Sequence, residues 1–332
     1  MSNVVVFNKS GYDPFIDFIK AYAIICVLIG HTFPYLDYIG YGLWVGMQVP
    51  LFVLVQVFHN LKKDTSVVNI KKIFWRVFFP FILVELGIFS IQLWIYHYDI
   101  NTLLKNWLRW GGAGPGSYYP WVYAQIALLL PLLKKWMQNF SKLQLAMVFI
   151  AMCEGFEFVL SVIDFPDWLY RLLAIRYLFL IYLAWIWVEN EIELNSKVIT
   201  LSILSFLSVI YFGYYSVNDE PIFYNTAWKT HRWPCFYYVA FGGTFLLYML
   251  WRGISKNHFI KSTVKMLAKC SYEIFLVQMA VCATFPALSF ITNGVLHIIT
   301  KILLIFTISI IGGYVFNRYY ESLVLKKTIR NG

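Results

Sequence analysis

Charge is what this sequence has least of. Asp, Glu, Lys and Arg make up 13% of its 332 residues, against 60% hydrophobic and 20% aromatic, and the mean hydropathy is +0.64. A soluble domain of this length could not cover itself with so little charge, which excludes an ordinary globular enzyme. The opening stretch MSNVVVFNKSGYDP lacks a basic segment leading into a short apolar core and a small-residue cleavage site. No cleavable signal peptide is therefore expected, and the first apolar run should act as its own insertion signal. Five cysteines (Cys26, Cys153, Cys235, Cys270 and Cys282) show no metal-ligand spacing, so no metal is expected, and the odd count argues against a disulfide framework. They read as buried apolar thiols. No internal repeat, low-complexity tract or long soluble segment interrupts the chain, which reads as one domain over 1–332.

What the chain has instead is apolar runs. Ten are long enough to be spans, at about 14–36, 41–59, 74–97, 118–138, 142–163, 168–189, 196–216, 232–252, 268–290 and 295–318. The expected fold is all-α, a polytopic membrane helix bundle. Basic residues orient it. Lys62, Lys63, Lys71, Lys72 and Arg76 surround the second loop, Lys134, Lys135 and Lys142 the fourth, and Arg252, Lys256, Lys261 and Lys265 the eighth. Arg318, Lys326, Lys327 and Arg330 follow the last run, while the alternate loops hold only Lys105, Arg109, Lys229 and Arg232. The positive-inside rule then places both termini in the cytoplasm. The net charge of +10 is mostly this topological signal, with contact to anionic membrane lipids added. It does not point to nucleic acid.

Within the first run, DFIKAYAIICVLIGH, three ionisable groups stand in an otherwise lipid-compatible helix: Asp17, Lys20 and His31. At about 100° per residue, His31 falls roughly 40° from Asp17 and about 20° from Lys20 around the helix. The three form one stripe, which should face protein or a hydrated cavity rather than lipid. His31 follows Asp17 by fourteen positions, about 21 Å along a helix, so it sits past the midplane if Asp17 is at the cytoplasmic surface. Histidine is the usual general base near neutral pH. A histidine bonded to a neighbouring helix is the competing structural reading.

Two outer segments stand apart. WLRWGGAGPGSYYPW (107–121) is glycine-rich and framed by aromatics and Arg109; VNDEPIFYNTAWKTHRW (217–233) carries Asp219, Glu220, Lys229, His231 and Arg232. Interfacial belts also concentrate Trp and Tyr, but hydroxyl, charged and aromatic groups over glycine turns suit a sugar-binding mouth. Glu154 and Glu157 in the fifth run are expected to pair with Arg171 and Arg176 in the sixth. Glu85 and Gln92 share a face of the third run and are candidate cavity-lining groups. So are Gln48, Gln56 and His59 in the second run, and Glu273 and Gln278 in the ninth, where interhelical hydrogen bonding is an equal reading.

Several segments, in order, resemble the acyltransferase 3 family of integral-membrane O-acyltransferases. Asp17-Phe-Ile-Lys20 followed by an apolar run to Leu28-Ile-Gly30-His31 looks like its first-helix signature, and Val49-Pro50-Leu51-Phe52 is similar to its second-span segment. Lys71-Lys72-Ile-Phe-Trp-Arg76, with Pro80 four residues on, resembles its third span. Gly114-Pro115-Gly116-Ser117-Tyr118-Tyr119 and Ser271-Tyr272-Glu273-Ile274-Phe275-Leu276-Val277-Gln278 resemble segments of members acting on surface polysaccharides.

The resemblance implies acyl transfer from acyl-coenzyme A to a hydroxyl, with acetyl-CoA as co-substrate and a cell-surface glycan or its lipid-linked precursor as acceptor, in a bacterial cytoplasmic (inner) membrane. His31 matches the family's essential histidine, and Asp17 is carried beside it in a helix-anchoring or donor-side role. Arg76 matches the second arginine of an arginine-x-x-arginine motif; Ile73 stands at the first, and Lys72 is the nearest cation. Arg76, Lys72, Lys71 and Lys20 are the candidate donor-binding residues, since coenzyme A phosphates need cations. Ser117, Tyr118, Tyr119, Arg109, Arg232, Glu85 and Gln278 are the candidate acceptor-binding residues. The other reading is a transporter or flippase of a lipid-linked sugar or small anion, which predicts paired broken helices and repeat symmetry that the sequence does not show. A succinyl or longer acyl donor stays open alongside acetyl.

Overall fold

In the computed structural model, residues 13–32, 47–62, 68–189, 238–284 and 294–325 are described, with Thr200, Ile203, Leu204 and Leu207 as single positions. The predicted span 196–216 lies almost entirely, and the outer segment 217–233 with Arg232 entirely, outside the described residues, as do Lys63 and Cys235. Among the described residues all regular structure is helical, with no strand.

The first helix, α1 (Pro14–Thr32), is the centre of the bundle: 61% of its apolar window is buried, against 28% or less for the other long apolar helices. Next comes α2 (Gln48–Lys62), antiparallel to α1, with Gln48 Nε2 donating to Cys26 O at 3.2 Å. Gly30 makes that approach possible, because a Cβ there would lie 1.8 Å from Gln48 Nε2. The third run is one continuous helical rod in three parts: α3 (Ile70–Ile73), a π-helical turn (Phe74–Phe78) and α4 (Phe79–Trp94). Asn69 caps its start by accepting from Lys72 N at 2.8 Å.

An amphipathic helix, α5 (Ile100–Trp110), was absent from the span count and is a finding of the structure. Asp99 opens it by accepting from Thr102 N at 2.9 Å, and Gly111, at φ +73°, closes it in the left-handed conformation that glycine adopts most readily. Then follow α6 (Tyr119–Met137), α7 (Lys142–Val162), the short α8 (Asp167–Arg171), a 3₁₀ turn (Ala174–Tyr177) and α9 (Leu178–Glu189). The last described helices are α10 (Tyr238–Ile254), α11 (His258–Lys269), α12 (Ser271–Thr284) and α13 (Gly294–Tyr320), which ends in a second π-helical turn (Glu321–Leu325). A 66° bend separates α11 from α12.

Among the described residues four helices are long and apolar enough to cross a membrane, Pro14–Thr32, Ile70–Trp94, Lys142–Leu160 and Ile298–Val324, or five if the bent pair α11–α12 is one span. The described parts of the runs at 41–59, 118–138, 168–189 and 232–252 are helical too but shorter or less apolar, and 168–189 opens with the short α8 and the 3₁₀ turn rather than as a straight rod. The peripheral helices turn Leu83, Leu86, Leu132, Leu143 and Ile311 outward. Surfaces this apolar need lipid.

The expected pairing of Glu154 and Glu157 with Arg171 and Arg176 is corrected in part. Glu154 Oε2 is buried without a hydrogen-bond partner. Arg171 instead lies 5.5 Å from the centre of the Trp110 ring, and Arg176 stacks on Tyr170 and Tyr177. The Glu157 side chain is not among those described. Helices α7 and α9 do pack, and α7 also meets the 3₁₀ turn that carries Arg176.

Candidate active site

A cavity of about 1030 Å³ runs between α1, α2, the third rod, α6, α12 and the end of α13. It is at the upper end of small-molecule pockets, roughly 300–1,000 Å³. Lys20 and His31 both line it. They are eleven positions apart on one helix, so the cavity follows α1 for about 16 Å. Two of the three stripe residues on α1, Lys20 and His31, therefore face the cavity. Asp17 is outside the wall and forms an ion pair with Lys20 at 3.8 Å, in line with an anchoring position.

The second donor-side element is the π-helical turn carrying Arg76. Its register ends at Pro80. Phe79 N–H donates to Phe74 O, one residue further back than in an α-helix. Continuing that register would ask residue 80 to serve Trp75 O, and proline has no N–H. The Tyr320 hydroxyl donates to Trp75 O instead, and the Tyr272 hydroxyl donates to Val77 O at 2.7 Å. Two tyrosines from the C-terminal helices thus clamp the carbonyls on either side of Arg76. The inserted residue turns Arg76 into the cavity, where it is exposed and makes no hydrogen bond or ion pair among the described residues. Lys72 also reaches the wall; Lys71 does not.

Among the described residues, five cations line the cavity (Lys20, Lys72, Arg76, Lys134 and Lys269) against two carboxylates, Glu273 and Glu321, leaving three positive charges in excess. Such a wall favours an anionic ligand. Further along it are His31, Gln48, Phe52, Gln56, Tyr118, Tyr119 and Tyr123. Gln56 Nε2 is bound to Tyr123 O at 2.8 Å, and the Tyr119 ring packs edge-on to both Tyr123 and Phe275. Among the described residues, this part of the wall is thus amide, aromatic and imidazole. A histidine there can take a proton from a hydroxyl placed beside it.

Other expected site residues are brought elsewhere. Glu85 is buried under the glycine loop, where its Oε2 accepts from Trp107 Nε1 and from Ala113 N, each at 2.9 Å. Ser117 is buried in the same loop and donates to Trp110 O at 3.0 Å. Gln278 is fully buried and off the cavity wall, with Nε2 3.1 Å from Cys282 Sγ one turn further along α12 itself. Gln92 likewise bonds to Ala283 O at 3.2 Å. Arg109 lies 5.6 Å from the Trp110 ring centre, away from the cavity. The glycine loop as a whole does meet the cavity, through Gly116, Tyr118 and Tyr119. At Gly116, φ is +87° and a Cβ would lie 2.7 Å from the Phe275 ring.

Sequence reasoning missed Tyr123, Lys134, Lys269, Asn317 and Glu321 as cavity residues. Tyr123 stands one turn beyond Tyr119 on the same face, a signal that was present. Lys134 was read only for topology. Lys269, Asn317 and Glu321 reach the cavity through the α11–α12 bend and the α12–α13 packing, neither of which leaves a local pattern. Among the described residues no group of three or more His, Cys, Asp or Glu side chains is placed to hold a metal.

No curated protein matches the chain, and no solved structure does. A family model described as an acyltransferase domain matches residues 13–318, nearly the whole chain and every cavity-lining residue except Glu321. The protein belongs to the acyltransferase 3 family of membrane acyltransferases.

Proposed function

We propose that this membrane acyltransferase moves an acetyl group from acetyl-CoA to a hydroxyl of a cell-surface polysaccharide or its lipid-linked precursor. In this reading ten spans leave both termini in the cytoplasm of a bacterial inner membrane. Membrane lipids and the glycan are then its partners. The observation that carries the reading is the cavity that follows α1 from Lys20 to His31 and holds Arg76 and Lys72 on its wall.

The donor phosphates bind among Arg76, Lys72 and Lys20, and the pantetheine arm runs along α1 toward His31. Neutral His31 takes the proton of the acceptor hydroxyl as its oxygen attacks the thioester carbonyl carbon. A C–O bond forms, the C–S bond breaks, and the imidazolium returns the proton to the departing thiolate. Tyr118 and Tyr119 present hydroxyl and ring surface to the sugar, and Asp17 holds Lys20 in place. Glu85 and Ser117 support the acceptor side by fixing the glycine loop. The choice of acetyl over a longer acyl group is an inference from the family.

Glycans from cells with and without the gene, compared by mass spectrometry, test the class. An acetyl mass present only with the gene is the expected result. Identical glycans, together with uptake or flipping of a lipid-linked sugar that depends on the gene, would favour transport instead.

A further inference from the structure

The cavity contains an ion pair that stability does not explain. Lys269 Nζ lies 2.6 Å from Glu321 Oε2, and both side chains line the wall, 58% and 37% exposed respectively. Pairs as wet as this add little to folding, so the contact exchanges at little cost. Its position is set by strong elements on both sides. Lys269 ends α11 at the 66° bend, and Cys270 N, directly after it, is bonded to Met266 O at 3.1 Å. Glu321 directly follows Tyr320, the residue whose hydroxyl holds Trp75 O beside Arg76. The two π-helical turns pack on each other, which brings the Glu321 end of the chain to the Arg76 turn.

A second carboxylate shares this end of the cavity. Glu273 is buried, takes a side-chain hydrogen bond from Asn317, and interacts electrostatically with Arg76, Lys269 and Glu321. The two carboxylates therefore differ in exposure. Glu273 is fixed in the α12–α13 packing, whereas Glu321 begins the terminal turn and is half open to solvent.

We propose that Lys269 is a further phosphate-binding residue of the donor site, and that Glu321 is its stand-in anion, displaced when a donor phosphate arrives. This rests on the acyl-coenzyme A reading above. A phosphate carries more charge and more acceptor oxygens than one carboxylate, so it competes well for an ammonium group. Once phosphate is on Lys269, like-charge repulsion turns Glu321 toward solvent. Arg76, already exposed to the cavity, and Lys269 then grip the donor from two separate segments of chain. Glu273 stays behind them and keeps both cations oriented.

A structural ion pair and an exchangeable one predict different signs. Breaking a structural pair from either side costs function alike. Breaking an exchangeable pair removes a ligand contact in one case and a competitor in the other. The test is calorimetric titration of coenzyme A into the full-length protein in neutral-lipid nanodiscs. Lys269→Gln should weaken binding roughly three- to tenfold and Glu321→Gln should tighten it by a similar factor, the range expected for a partly exposed charge contact. Lys269→Arg, which keeps the charge, should bind within about twofold of wild type, and it serves if the glutamine variant folds poorly. Wild-type binding of coenzyme A with both glutamine variants weaker, or neither changed, overturns the role of Lys269 and Glu321 and leaves the donor reading intact. A wild-type protein that does not bind coenzyme A overturns the donor reading itself.

Discussion

The Tyr272 hydroxyl donates a 2.7 Å hydrogen bond to the Val77 carbonyl, across 195 positions of sequence. It joins two segments that look unrelated when read along the chain, the basic third-rod segment and the Ser-Tyr-Glu stretch at the start of α12. Arg76 is immediately before Val77, so this contact fixes where its guanidinium points.

Tyr272→Phe removes that donor and leaves Val77 O dependent on water or strain. The expected effect is a donor KM raised roughly three- to tenfold with kcat nearly unchanged, in keeping with about 1 kcal/mol for one hydrogen bond. Steady-state kinetics with varied acetyl-CoA checks it; a fall in kcat at constant KM would mean that Tyr272 acts on the chemistry instead.

Arg76 itself should act in donor binding more than in chemistry, since phosphate contacts persist in ground and transition states alike. Arg76→Ala should chiefly raise the donor KM, and Lys72→Ala should do so less. Arg76→Lys should fall between wild type and alanine, because lysine keeps the charge and loses the bidentate fork. Donor titrations of the three variants test the order, and unchanged affinity in Arg76→Ala would remove the donor site from this turn.

Glu85 tests whether a buried carboxylate near the acceptor side is structural. A glutamine can keep one oxygen toward Trp107 Nε1 and Ala113 N, so Glu85→Gln should retain most activity. Glu85→Ala strands both donors and should destabilise the protein by about 1–3 kcal/mol or more. Thermal unfolding in detergent, run beside the activity assay, separates the two. An inactive but fully stable Glu85→Gln protein would give Glu85 a role in the reaction.

Gly30 is the contact point between α1 and α2. In Gly30→Ala the new methyl displaces the Gln48 amide, and the loss should be about 1 kcal/mol, the worth of the Gln48–Cys26 bond. The double variant Gly30→Ala/Gln48→Ala should then be no less stable than Gly30→Ala alone, because both changes remove the same interaction. Additive losses in the melting temperature would show that Gly30 is needed for some other reason.

The helical class, and the cavity-facing stripe on α1, were legible because 3.6-residue periodicity and apolar length are local properties. Lys20, His31, Lys72, Arg76, Tyr118 and Tyr119 were found this way or through their likeness to family segments, and all six line one cavity. Glu85 and Ser117 were recognised as special, but their polarity serves the glycine loop rather than the cavity. A polar residue in an apolar run signals that it needs partners without saying which. The π-helical turn was not legible, although Pro80 ends its register, because the compensating hydroxyls come from Tyr272 and Tyr320 far along the chain. The α11–α12 bend hid Lys269 for the same reason. Helix α5 escaped because its apolar positions are interleaved with Asn, Lys and Arg, a pattern too polar for a span and too short to stand out.

The central claim is that His31 takes the proton of the acceptor hydroxyl. General-base catalysis is worth about 10²–10⁴-fold. The most direct measurement is acetyl transfer by purified His31→Gln protein, with expression, thermal unfolding and coenzyme A binding matched to wild type. Glutamine keeps much of the volume and a hydrogen-bonding amide but cannot serve as the base. The account predicts turnover lowered by at least about a hundredfold with donor affinity unchanged. A stable His31→Gln protein that transfers acetyl at close to the wild-type rate would contradict it.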